Sequence, residues 1–227
     1  LLLISGAGTS ISSFAQPDTS GNRGTRTQSK TSAEWGPAYA LIVGISGYKN
    51  IPQLDYADDD AEAFRDFLLD TKIITDPNNI YYLIDSAATK TEIFRGLNNI
   101  LTKLKGDNNE RVYIYFAGHG DTESETEQGY LLAYNCEKVA YDMTDAVYLP
   151  QFEPKVAAIA KKAKVFLITD ACRSGNLAGQ NNGALRTMKA INDGFVNSTK
   201  ILSCEPGQLS QEKHFPGGGH GVFTYFL

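Results

Sequence analysis

The sequence predicts an α/β fold with a mostly parallel central sheet and helices on both of its faces. Three observations point there. Strand-like and helix-like segments alternate from about residue 37 onward. The runs Arg111-Val-Tyr-Ile-Tyr-Phe116 and Lys164-Val-Phe-Leu-Ile-Thr169 are nearly continuous in apolar residues, as strands covered on both faces are. Each run ends abruptly in a polar turn that carries one reactive side chain, where open α/β sheets place their ligands.

The elements follow in order. Leu1-Leu-Leu-Ile4 is apolar, and Ser13-Phe14-Ala15 before Gln16 resembles a small-residue cleavage site. Residues 1–15 are therefore read as the remnant of a secretory signal, which predicts an exported protein, periplasmic or extracellular. The other reading is a plain leader, which leaves the protein cytoplasmic. Residues 16–36 are rich in Ser, Thr, Gly, Asn and Gln and predict a flexible segment. The folded domain is expected over 37–227.

Ala38–Ile45 predicts a buried strand ended by Ser46-Gly47. Asp58–Leu69 predicts a helix, with acids at the positive end of its dipole and Ala61, Phe64, Phe67 and Leu68 on one face. Ile80–Ile84 is a second strand. Thr89-Lys-Thr-Glu92 is a capping-box pattern, and Ile93, Leu97, Ile100, Leu101 and Leu104 follow at helical spacing. The histidine strand comes next. Residues 121–151 predict polar loops with an apolar patch at 130–134, and 155–163 a helix. The cysteine strand is 164–169. Residues 176–197, rich in Gly and Asn, predict a loop. Lys200–Ser203 is a short strand, and Val222–Leu227 starts a helix that the chain end cuts off.

Composition narrows the function. The 227 residues suit one sizeable domain, and 42% hydrophobic with 21% charged residues is ordinary for a globular chain. A net charge of −5 without a dense Lys/Arg run argues against nucleic acid as a partner. No apolar run reaches the about 20 residues of a membrane span. Three cysteines, Cys136, Cys172 and Cys204, form neither a disulfide framework nor a C-x-x-C zinc pattern. No H-E-x-x-H pattern accompanies the three histidines, so no metal is expected in the chemistry.

The chemistry concentrates at His119 and Cys172. A thiol is a weak nucleophile at neutral pH until its proton is removed, and histidine is the usual partner. The two residues are too far apart in the chain for a local contact, but adjacent parallel strands would bring them to one edge. The backbone N–H groups of Gly120 and Cys172 are then candidates for holding an oxyanion. Gly219-His220-Gly221 repeats the Gly-His-Gly triplet but follows no apolar strand, and it predicts a loop without a catalytic role. Cys136 and Cys204 are read as structural or incidental thiols, with a redox link of Cys204 open if the protein is exported.

Gly118-His119-Gly120 and Asp170-Ala-Cys-Arg-Ser-Gly175 together resemble the histidine and cysteine motifs of caspase-like cysteine peptidases, nearer to bacterial metacaspase-type members than to animal caspases. Leu54–Ala61, Gly129–Leu132 and Gly207–Leu209 are also similar to family positions. The resemblance covers the chain from about residue 37. It implies a caspase-like three-layer sandwich and a cysteine endopeptidase without a cofactor. Animal caspases, which cut after Asp, carry Gln two places before the cysteine; here Asp170 stands there, and Asp60 matches a second acid. Two carboxylates in one pocket imply cleavage after Arg or Lys, in protein or peptide substrates. Asp60 has a second reading, as a helix cap.

Arg186 and Lys189, in the expected loop at 176–197, are candidates for self-cleavage, with an ordinary solvated loop as the other reading. Relatives of this type include calcium-activated ones, and Asp121, Glu123, Glu125 and Glu127 form an acidic run, though alternating acids on a loop are commonly just solvated. Two rivals from other classes remain. One is a non-catalytic caspase-homology module that binds partners, disfavoured because both His119 and Cys172 are kept. The other is a nucleotide-binding domain using Gly44-Ile-Ser-Gly47, which lacks both a full G-x-G-x-x-G and a P-loop.

Overall fold

Strand β1 (Ala38–Gly44) is buried along its whole length, and its side chains divide by alternation. Tyr39, Leu41 and Val43 enter one apolar cluster; Ala38, Ala40 and Ile42 enter another on the opposite face. A strand buried on both sides must be central, and it is. In this computed structural model the described residues are 35–107, 109–122, 128–137, 145–171, 183–203, 212–215 and 218–227. The expected signal remnant at 1–15 and the rest of the leader through residue 34 lie outside them.

Helix α1 (Ala57–Asp70) covers one face through Ala57, Ala61, Phe64 and Leu68. Its first turn holds Asp58, Asp59 and Asp60, but its cap comes from a distance. Ser46 Oγ accepts the N–H groups of Ala57 (2.8 Å) and Asp58 (3.1 Å) and donates to Asp58 Oδ1 at 2.6 Å. Gly44 permits close docking of this helix, since a Cβ there would lie 2.5 Å from the Ala61 methyl. After β2 (Ile80–Ile84), helix α2 (Lys90–Lys103) starts as the capping box predicts: Thr89 Oγ1 accepts the Glu92 N–H. It covers the other face with Ile93, Leu97 and Ile100.

Strand β3 (Arg111–Ala117) leads into β4 (Gly120–Thr122), β5 (Gly129–Leu132) and β6 (Ala146–Tyr148). These last three form a small antiparallel sheet where loops are expected. Strands of three or four residues are too short to show a period. Helix α3 (Leu149–Ala160) begins six residues before the expected start. Pro150 sits in its first turn, where a missing N–H costs nothing, and Pro154 is carried inside it. Then come β7 (Lys164–Asp170), α4 (Gly183–Asp193) and β8 (Ser198–Leu202). Helix α4 occupies residues 183–193 of the loop expected at 176–197. Thr187, Met188 and Ile191 are buried and Lys189 is exposed. Its Gly and Asn content masked a real amphipathic pattern. The chain ends with β9 (Glu212–Phe215), β10 (Gly218–Gly221) and the short α5 (Val222–Tyr225).

The main sheet has the order β2-β1-β3-β7-β8, with every neighbouring pair parallel. Helices α2 and α3 lie on one face and α1 on the other, the three layers expected from the sequence. After β1 the chain first adds β2 on one side and later β3 on the other. The connections leaving β1 and β3 therefore part in opposite directions and open a crevice at their carboxyl ends.

Candidate active site

His119 stands just past the end of β3, at that crevice, and is 3% exposed. Its backbone is held on both sides. The N–H donates to Tyr48 Oη at 2.7 Å, and the carbonyl accepts the Leu132 N–H at 2.9 Å. The imidazole Nε2 lies 3.0 Å from the Pro52 carbonyl oxygen. A carbonyl only accepts, so Nε2 carries the hydrogen, and in the neutral ring Nδ1 is the proton-accepting nitrogen. The Tyr48 ring lies 4.9 Å from the imidazole, tilted by 38°.

The loop between β1 and α1 that supplies Tyr48 and Pro52 is itself pinned. Asp85 Oδ1 accepts the N–H groups of Ser46 (2.9 Å) and Gly47 (2.8 Å). Asp85 does this from a left-handed backbone conformation, with φ of 44°. For an L residue this conformation costs roughly 1–2 kcal/mol, which these two bonds offset. Lys49 N–H reaches Tyr134 O at 3.0 Å, tying the loop to the end of β5.

Strand β7 is the parallel neighbour of β3, and Ala117 pairs with Asp170 in register. The turn after each strand therefore leaves the sheet at one edge. Gly118 N–H donates to Asp170 O at 3.2 Å. A Cβ on Gly120 would lie 2.9 Å from Ala171 O, so the residue after the histidine packs directly on the residue before Cys172. Asp170 is fully buried. Cys172 itself lies outside the described residues, as does Cys204. Cys136 is buried, with its Sγ 3.4 Å from Glu137 O.

Asp60 has a role that neither sequence reading foresaw. It is fully buried, and its carboxylate accepts the Gly221 N–H at 3.1 Å (Oδ1) and 3.0 Å (Oδ2). Oδ1 also lies 3.2 Å from His220 Nδ1. The Gly-His-Gly triplet expected in a loop is in fact strand β10, paired antiparallel with β9 and fastened to α1 by Asp60. Gly219 fits under Tyr56, whose ring a Cβ would strike at 1.8 Å. Next to this clasp the Asp59 carboxyl is held above its usual range by burial and by Asp58, with His220 acting in the other direction.

Arg186 and Lys189 lie on α4, not on a loop, and Lys189 pairs with Asp193 at 2.9 Å. Of the acidic run, Asp121 is buried with its Oδ1 on the Thr122 N–H at 2.7 Å. Glu123, Glu125 and Glu127 lie outside the described residues. Among the described residues no three His, Cys, Asp or Glu side chains cluster as metal ligands do, and no helix is long and apolar enough to cross a membrane.

His119, Gly120 and Asp170, named from the sequence, stand at this one sheet edge, and Tyr48, Pro52 and Asp85, which no sequence pattern marked, stand around them. These three reach the site only because β1 borders β3 and β2 borders β1, and no local spacing encodes that neighbourhood.

Comparison with known proteins agrees with this architecture. A family model described as the caspase domain matches residues 37–227. The crystal structure of protein GSU0716 from Geobacter sulfurreducens shares the fold, with a TM-score of 0.56 at 18% identity over 84% of this chain and 80% of that one. Among curated proteins no match is found.

Proposed function

The chain belongs to the caspase-domain family of cysteine peptidases, and on that premise we propose that it is a metacaspase-type endopeptidase that cuts after Arg or Lys. The observation that carries this reading is the pairing of β3 with β7, with Gly120 packed on Ala171. His119 and the chain segment leading into Cys172 then serve one cleft.

In this reading Cys172 Sγ attacks the peptide carbonyl. His119 Nδ1 takes the thiol proton, while the Pro52 carbonyl steadies the ring through Nε2–H. The N–H groups of Gly120 and Cys172 hold the oxyanion. The C–N bond breaks as His119 gives its proton to the leaving amine, which leaves a thioester on Cys172. Water, deprotonated by His119, adds to the thioester and releases the acid and the thiol. No cofactor takes part in these steps.

Asp170 and Asp60 are the acids assigned to the basic side chain. Asp170 is the nearer candidate, since it ends β7 beside the histidine turn. Asp60 already bonds Gly221 and His220, so its share is to add negative field and to hold β10 in place.

Reporter peptides ending in Arg, Lys and Asp, assayed beside Cys172→Ala with and without calcium, test this. Cleavage after Arg and Lys that vanishes in Cys172→Ala is expected. Cleavage after Asp removes the specificity, and a chelator without effect removes calcium. An Arg-type acylating inhibitor that leaves Cys172 a free thiol returns the chain to the class of non-catalytic binding modules.

A further inference from the structure

Tyr48 is buried on the loop between β1 and α1, with 3% of its surface exposed. Phe would fill such a position, and a buried hydroxyl is tolerated only when paired. Here it joins two backbones. Tyr48 Oη accepts the His119 N–H at 2.7 Å and donates to Leu132 O at 3.1 Å. Leu132 N–H closes the circuit on His119 O at 2.9 Å. Both backbone polar groups of His119 are thus fixed within one ring of bonds, and the Tyr48 aromatic face bounds the imidazole at 4.9 Å. Gly118 leaves room for this hydroxyl, since a Cβ there would come within 2.6 Å of it.

We propose that Tyr48 is a positioning residue for the peptidase reaction: its hydroxyl sets the His119 backbone, and through it the imidazole and the adjoining Gly120 N–H. The inference rests on His119 as the acid/base of the proposed function. It places the control of that residue on a loop that leaves a different strand. Tyr48 touches no reacting atom; it acts through His119. A displacement of under an ångström at a proton-transfer group lowers turnover without weakening substrate binding.

The test uses the full chain and an Arg-ending reporter peptide. Wild type is compared with Tyr48→Phe and with 3-fluorotyrosine placed at position 48, which keeps the shape and weakens the acceptor. The expected result is a kcat about five- to tenfold lower in Tyr48→Phe, the scale of one lost hydrogen bond. KM stays unchanged and fluorotyrosine falls between. Fluorotyrosine answers the question even where Tyr48→Phe does not fold. Equal kcat in all three, whatever the melting temperatures do, overturns the proposal.

A second readout does not depend on turnover. In a Cys172→Ala background, exchange of the His119 Nε2–H with water, followed by nitrogen-15 NMR, is expected to speed up in Tyr48→Phe. Wild type that neither cleaves the reporter nor is labelled at Cys172 sinks the peptidase reading instead. The exchange rates then decide the positioning role alone, and equal rates overturn it.

Discussion

A neutral His119 whose Nε2–H is committed to the Pro52 carbonyl has one nitrogen left for proton transfer. That assignment makes the neighbouring charges matter. Asp170 is a fully buried acid at the end of β7, whereas Asp60 is bound to Gly221 and His220. The two acids therefore differ in what their loss would do. Asp170→Asn is expected to lower kcat/KM for Arg-ending peptides on the order of tenfold to a hundredfold, the scale of a charge-assisted hydrogen bond. Asn still fills the volume, so the fold survives. Parallel assays on Arg-ending and neutral peptides read this, and an equal loss on both would show that Asp170 does not select the cation. At this scale the sequence displayed the residues whose type is unusual for their place, such as a histidine between glycines after an apolar run. It could not display Tyr48 or Pro52, because a tyrosine and a backbone carbonyl look ordinary until the fold brings them to His119.

The elements differ in the same way. The capping box at Thr89 and the 3.6-residue period of α2 were legible because each signal is local and long enough to repeat. Strands β4, β5 and β6 were not, since each spans three or four residues. Helix α4 was hidden by Gly183 and the Asn residues before it, yet it buries Met188 against Thr169 of β7, with Oγ1 3.7 Å from Sδ. This changes the expectation for self-cleavage at Arg186 and Lys189. A peptidase binds its substrate extended, and helical backbone must open first. Met188→Ala, which costs about 2–5 kcal/mol, is expected to raise the yield of fragments cut after those residues. Cys172→Ala should show none. Gels that look the same with and without Met188→Ala would mean that α4 does not guard the bonds. Matching gels with and without Cys172 would mean that the protein does not cut itself.

For the molecule as a whole, the parallel sheet was legible from its two long apolar runs, but the order β2-β1-β3-β7-β8 was not. Strand order depends on which crossover packs on which face, and that is settled by side chains far apart in sequence. Tyr82 shows the consequence for stability. It lies on β2, and the Arg65 guanidinium of α1 rests 4.5 Å from its ring centre. Burial pushes its phenol up to about 12, against the partial opposing pull of Arg65. A phenol whose folded value exceeds its unfolded value favours the folded state in its neutral form. Its contribution is fully present below the unfolded value of about 10. It is lost as pH rises through about 12. Between these limits wild type is expected to lose stability more steeply than Tyr82→Phe, which has no proton to release at that position. Denaturant midpoints measured for both proteins across this interval check the difference. Parallel curves would mean that Tyr82 ionises as easily folded as unfolded, and that the α1–β2 contact does not shield it from water.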